Sequence, residues 1–109
     1  MASSIATIDG GSFDKQVLKA DLPTLVLFTA TWAAPAKKME ATLQDIAPSY
    51  EGRLGVVKMD VDSSPDVINQ YEVRNAPELR LFKSGQVIGK KMGVLEKEAL
   101  KTWIDALLG

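Results

Sequence analysis

The sequence predicts an α/β domain in which a central five-stranded mixed sheet is flanked by four helices, in the order βαβαβαββα. Three observations carry that reading. Apolar residues alternate between strand-like runs and helical three-four spacing, one run is apolar enough to be covered on both faces, and the last two strands are joined by a tight glycine turn. At 109 residues the chain is expected to form one domain over 1–109, long enough to bury a single core and too short for two.

The first strand is expected at Ile5 to Ile8, followed by a helix capped by Ser12 with Phe13, Val17 and Leu18 on its apolar side. Pro23 opens a new segment, and Thr24 to Thr29 reads as a central strand buried on both faces. From Ala36 the period changes: Ala36, Met39, Leu43, Ile46 and Ala47 make one helical face apolar, until Pro48 ends or kinks the helix by lacking an N–H. Leu54 to Val61 forms a second buried strand. Ser64-Pro65 then pairs a cap with proline at the first helical position, opening a short helix through Val67, Ile68 and Tyr71. Leu79 to Phe82 and Gln86 to Met92 are expected as antiparallel strands around Lys83-Ser84-Gly85. The last helix carries Leu100, Trp103, Ile104, Leu107 and Leu108 inward and Lys97, Lys101 and Asp105 outward, so Trp103 reads as core.

Composition excludes several function classes. With 13 basic and 14 acidic residues the formal charge is −1, which offers no field to draw nucleic acid or anionic lipid. Met1-Ala2-Ser3-Ser4-Ile5 lacks the basic and apolar regions of a signal peptide, and no apolar run approaches the roughly 20 residues of a membrane span, so a cytoplasmic location is expected. Balanced charge and the lack of a large apolar patch point to a monomer. The absence of cysteine removes thiolate nucleophiles, disulfides and thiolate metal sites together, and histidine is absent as well. Asp60-Val61-Asp62 is the nearest approach to a metal site, but it lacks the glycine spacing and further ligands of a calcium loop and reads as a solvated strand end. No cofactor is implied.

The run Trp32-Ala33-Ala34-Pro35-Ala36-Lys37, at the junction of a strand and a helix, resembles the Trp-Cys-Gly-Pro-Cys-Lys motif of the thioredoxin family. Ser12-Phe13-Asp14, Val17-Leu18-Lys19-Ala20-Asp21, Val57-Lys58-Met59-Asp60-Val61-Asp62, Ala76-Pro77, Leu81-Phe82-Lys83-Ser84-Gly85 and Gly93 resemble thioredoxin segments in the same order, over essentially the whole chain. The resemblance implies a thioredoxin fold and, for the family, reduction of protein disulfides: the first cysteine attacks as a thiolate favoured by the helix N-terminus, and the second resolves the mixed disulfide. Those two positions are Ala33 and Ala36 here, and a methyl group carries neither step. A groove for an extended peptide or a disulfide-bearing protein is implied around Trp32, Pro35, Ala76, Pro77 and Gly93, with Pro77 at the family's cis-proline position.

Departures from the family pattern extend past the sulfurs. Leu27 stands at the family's buried aspartate, Thr29 at an aromatic position, and Ala41 where a proline is common. Removing a poorly paired buried carboxylate favours a core, and removing the proline restores a helical hydrogen bond. Ala76 and Glu78 are expected to change the groove in shape and in charge. Arg80 interrupts an apolar strand, on the same face as Glu78, where the two could interact. Lys58, having lost the aspartate, is expected to extend toward solvent. Three readings remain: a redox-inert scaffold, engineered or selected for folding; a reductase disabled by replacing both cysteines; and a cysteine-free module that binds peptides through the groove.

Overall fold

The computed structural model describes residues 5–109; the expectation drawn from Met1, Ala2, Ser3 and Ser4 lies outside the described residues. Two strand types alternate with helices as their patterns require. β1 (Ala6–Thr7) is followed by α1, which opens at Gly10–Phe13 and widens into a π-type stretch over Asp14–Leu18. β2 (Thr24–Thr29) leads into α2 (Ala34–Ile46), and a 3₁₀ turn over Ala47–Tyr50 places Pro48 in its first turn, where the missing N–H costs no helical bond. β3 (Gly55–Asp60), α3 (Pro65–Gln70), β4 (Glu78–Lys83), β5 (Gln86–Met92) and α4 (Lys97–Leu108) complete the order.

The five strands form one sheet ordered β1-β3-β2-β4-β5. β3 runs parallel to both β1 and β2, while β4 is antiparallel to β2 and to β5. The β4–β5 turn places Ser84 at φ 53° and Gly85 at φ 81°, the pair of positive values a two-residue hairpin needs to follow the sheet's twist. Both faces of the sheet are covered. Leu25 and Leu27 of β2, with Leu79 and Leu81 of β4, pack beneath α2 and α4 against Met39, Leu43, Leu100 and Ile104. Val26 and Phe28 point the other way, under α1 and α3, with Phe13, Val17, Val67 and Phe82. Phe13, Tyr71 and Phe82 meet there with ring centroids 5.4–5.6 Å apart in tilted and edge-on arrangements. Burying each large apolar side chain contributes about 1.5–3 kcal/mol, so the two faces of β2 anchor the fold.

Helix entry differs from the sequence reading in two places. The cap of α1 is Asp9, not Ser12: Asp9 Oδ1 accepts the Ser12 N–H at 3.1 Å, and the Asp9 N–H reaches Ser12 Oγ at 3.4 Å. Ser12 thus occupies the third helical position of a reciprocal capping box. Ser64 stands at the cap position of α3, but its hydroxyl makes no cap bond; it accepts the Gly10 N–H at 2.7 Å and ties α1 to α3.

At the other end, Asp105 is exposed as expected and also accepts a 2.7 Å bond from the buried Tyr50 hydroxyl. Burial, that hydrogen bond and the Asp105 charge push Tyr50 up to about 12. Trp103 is half-buried, leaning with Leu107 over Gly89 of β5. A Cβ on Gly89 would fall within 3.1 Å of the Trp103 ring and collide with the end of Leu107. Helix α4 therefore approaches the sheet closely because this strand position has no side chain. Gly89→Val is expected to cost about 1–3 kcal/mol by overpacking, measured as a lower urea midpoint, and Leu107→Ala should recover part of that loss in the double variant. Additive losses would show that the two side chains do not compete for this space.

Candidate functional site

Strand β2 ends at Thr29, and the chain turns through Ala30, Thr31 and Trp32 before α2 begins. Ala33 is the residue preceding the helix and offers no side-chain cap, while Pro35 sits in the first turn. At the start of the helix a cluster of small side chains is closed: Ala30, Ala33 and Ala36 are buried together, with Ala76 and Val61 packed against them. Ala36 is 0% exposed and Ala33 7%. Pro35 and Ala34 remain on the surface.

The predicted groove residues are brought together around this cluster. The Ala76–Pro77 peptide bond is cis, and Ala76 packs against the alanine cluster. Gly93, at φ 84°, donates its N–H to the Pro77 carbonyl at 3.0 Å and fixes the loop after β5 beside the proline. Trp32 is 68% exposed, but its indole is not free: Nε1–H donates to Asp62 Oδ2 at 2.8 Å. Asp60 in turn accepts the Asp62 N–H at 2.7 Å, so the paired aspartates organise the loop under the tryptophan. Among the described residues, no three His, Cys, Asp or Glu side chains group as metal ligands, and no helix is long and apolar enough to cross a membrane.

Leu27 lies in the apolar core at 0% exposure, beneath α2 and α4. Its register partner on β3 is Lys58, which does not extend into solvent as the sequence reading expected. The Lys58 Nζ donates to Glu40 Oε1 at 2.9 Å, and the Thr29 hydroxyl donates to Glu40 Oε2 at 2.8 Å. The anion that pairs Lys58 comes from helix α2. Thr29 is two residues from Leu27 and therefore on the same face, where its hydroxyl shares the Glu40 carboxylate with Lys58. Burial pushes the Glu40 carboxyl up, but hydrogen bonds from Lys58 and Thr29, with the charges of Lys58 and Lys37, outweigh it and hold the group below 4.5. These side chains, with Thr7 and Thr31, line a recess of about 180 Å³ beside β2. Glu40 was missed because the helical pattern marks it as a flank of the apolar face; the signal was Lys58 on the inward face of β3 with no acid left in β2.

Glu78 and Arg80 do form the pair their common parity allowed, as a direct Nε–H to Oε2 contact. Their side chains are 2% and 8% exposed, and Arg80 stacks 5.8 Å from the Phe28 ring centroid. The pair lies on the α1 and α3 face, with Glu78 opposite Phe28 in register, so Glu78 is buried and matched by Arg80 and does not charge the peptide groove as expected. Arg80 is tolerated within the strand because its partner is built into the same strand.

A sheet ordered in this way, with the residue before a cis-proline packed on the alanines at the start of the helix that follows its central strand, defines the thioredoxin class of α/β folds. Residues 4–106 match the family model described as Thioredoxin. The chain is similar to the thioredoxin of Pseudomonas aeruginosa, 40% identical over 106 residues that cover 97% of this chain and 98% of that one. Similarity to the thioredoxin of Acidithiobacillus ferridurans is 38% over 108 residues, covering 99% and 100%, and to that of Rickettsia felis 36% over 98 residues, covering 90% and 93%. The chain belongs to the thioredoxin family.

Two measurements probe these charge pairs. Glu78→Gln should destabilise by about 3–5 kcal/mol because it strands a buried guanidinium, whereas replacing both residues by leucine should be near neutral or stabilising; equal losses would mean the charges are already solvated. The Glu40 carboxyl is held low in the folded protein, so its contribution is complete above its ordinary value of 4.5 and is lost as pH falls through the lower folded value. The stability difference between the parent chain and Glu40→Gln, read from urea midpoints, should shrink as pH falls below 4.5. A difference constant with pH would contradict this.

Proposed function

We propose that this chain is a redox-inert member of the thioredoxin family, a scaffold engineered or selected for folding that performs no disulfide exchange. The observation that carries the reading is the closed alanine cluster at the start of α2, which puts packed methyl groups where the family's reaction needs a thiolate and a resolving thiol. Further support comes from Leu27, buried without a polar partner, and from the relocation of the carboxylate that pairs Lys58 onto α2. Each change favours a packed, locally neutralised interior. We read residues 1–109 as one cytoplasmic, monomeric unit without cofactor.

A reductase disabled only by cysteine replacement should keep every other group the chemistry uses. Leu27, Thr29 and the Glu78–Arg80 pair count against that alternative. A second reading, a cysteine-free module that holds extended peptides or proteins in the groove, is favoured by one observation: Trp32 is broadly exposed yet tied by its indole N–H to Asp62, at a pocket that includes Arg74 and Asn75 just before Ala76.

The test restores the sulfurs. Ala33→Cys with Ala36→Cys should reduce a protein disulfide at least about tenfold more slowly than the Pseudomonas aeruginosa thioredoxin assayed alongside, because the buried acid that assists proton transfer is missing. An equal rate in the folded double variant would overturn the scaffold reading in favour of the disabled reductase.

A further inference from the structure

The sheet ends on one side at β5, whose far edge pairs with no other strand among the described residues. Seven residues long, it is the more substantial of the two edges; β1, at the other end, has two. Alternate residues of such a strand direct their N–H and C=O groups away from the sheet, where an added strand can bind them. Val87, Ile88 and Met92 are exposed along it.

Two further observations indicate what could pair there. From Lys83 to Leu95 the chain carries three lysines and no acidic residue, although its net charge is −1. Among the described residues none of these three is ion-paired. Register separates the last two: Lys91 is opposite Leu79, on the α4 side, and Lys90 opposite Arg80, on the other face. Beside the strand on the α4 side lies an open groove lined by Leu95, Ala99, Thr102, Trp103 and Ala106 together with Lys91 and Glu98.

We propose that the β5 edge, with the α4 groove beside it, takes up an extended segment of a partner protein as an added strand. The segment carries two adjacent acidic residues, one opposite Lys90 and one opposite Lys91, and therefore on opposite faces. An apolar residue two positions from the second of these shares its face and seats over Trp103. A second copy of this chain is a poor occupant, because pairing two β5 edges brings both sets of lysines together and the bulge near Val87 spoils the register.

The experiment titrates the full chain with a blocked decapeptide of alternating threonine and valine around a central Glu-Glu pair, and follows backbone amide exchange together with Trp103 emission in a Trp32→Phe background. Slower exchange along β5 is expected, with binding at least about tenfold weaker for the matched Lys-Lys peptide. N-methylation of the peptide amides that face β5 should abolish it. Lys90→Glu with Lys91→Glu should reverse the peptide preference. Should that variant melt without a cooperative transition, Lys90→Gln with Lys91→Gln serves instead and should erase the preference. Failure of the Glu-Glu peptide to protect β5 at millimolar concentration would overturn the proposal. So would protection indifferent to charge, protection confined to the loop before Pro77, or β5 protection in a peptide-free dimer seen by sedimentation.

Discussion

Complete burial of β2 constrains nearly everything packed around it. All six of its residues are buried, so each side chain must either be apolar or find its partner within the protein. Leu25 and Leu27 satisfy this on one face and Val26 and Phe28 on the other; Thr29, where the strand reaches the recess, satisfies it by donating to Glu40. The same demand acts on neighbouring strands. Lys58 is drawn back to Glu40, and Arg80 is matched by Glu78 two residues earlier. Charge enters this interior only where its counter-charge arrives with it.

That rule gives the region near α2 its character. In the thioredoxin family a helix N-terminus facing a cis-proline favours a negative sulfur. The same backbone frame is kept here, with the cis-proline, the glycine that braces it and the exposed tryptophan all in place. At the start of α2 the methyl groups of Ala30, Ala33 and Ala36 pack on one another. Fold and reagent are separable: the frame is held by strand register and core packing, neither of which involves the sulfur atoms.

Much of this was legible beforehand because it depends on local pattern. The apolar run of β2, the three-four spacing of α2 and α4, and the positive-φ turn at Ser84-Gly85 each express a short-range rule. The Glu78–Arg80 pair followed from strand parity alone. Other features did not reveal themselves in that way. Whether Asp9 or Ser12 capped α1 depended on which residue left the helix first, and the two are only three positions apart. Ser64 was diverted from its own helix by an N–H that is 54 positions away in the chain. Glu78 is set by register opposite Phe28, on the α1 and α3 face, where it pairs with Arg80.

By itself, the sequence determined the α/β order, the mixed sheet, the family and the absence of any thiol, since periodicity, turn chemistry and residue identity are properties of neighbouring positions. Only the tertiary structure decided which charges meet between different elements. Lys58 and Glu40 lie 18 positions apart, on a strand and a helix, and their 2.9 Å contact exists because β2 holds β3 in parallel register beneath α2. The closeness of α4 to β5 was likewise decided in space, by a glycine whose missing side chain matters only because Trp103 and Leu107 descend onto it. Long-range contacts of this kind follow from packing two faces of one sheet at once, and no local pattern encodes them.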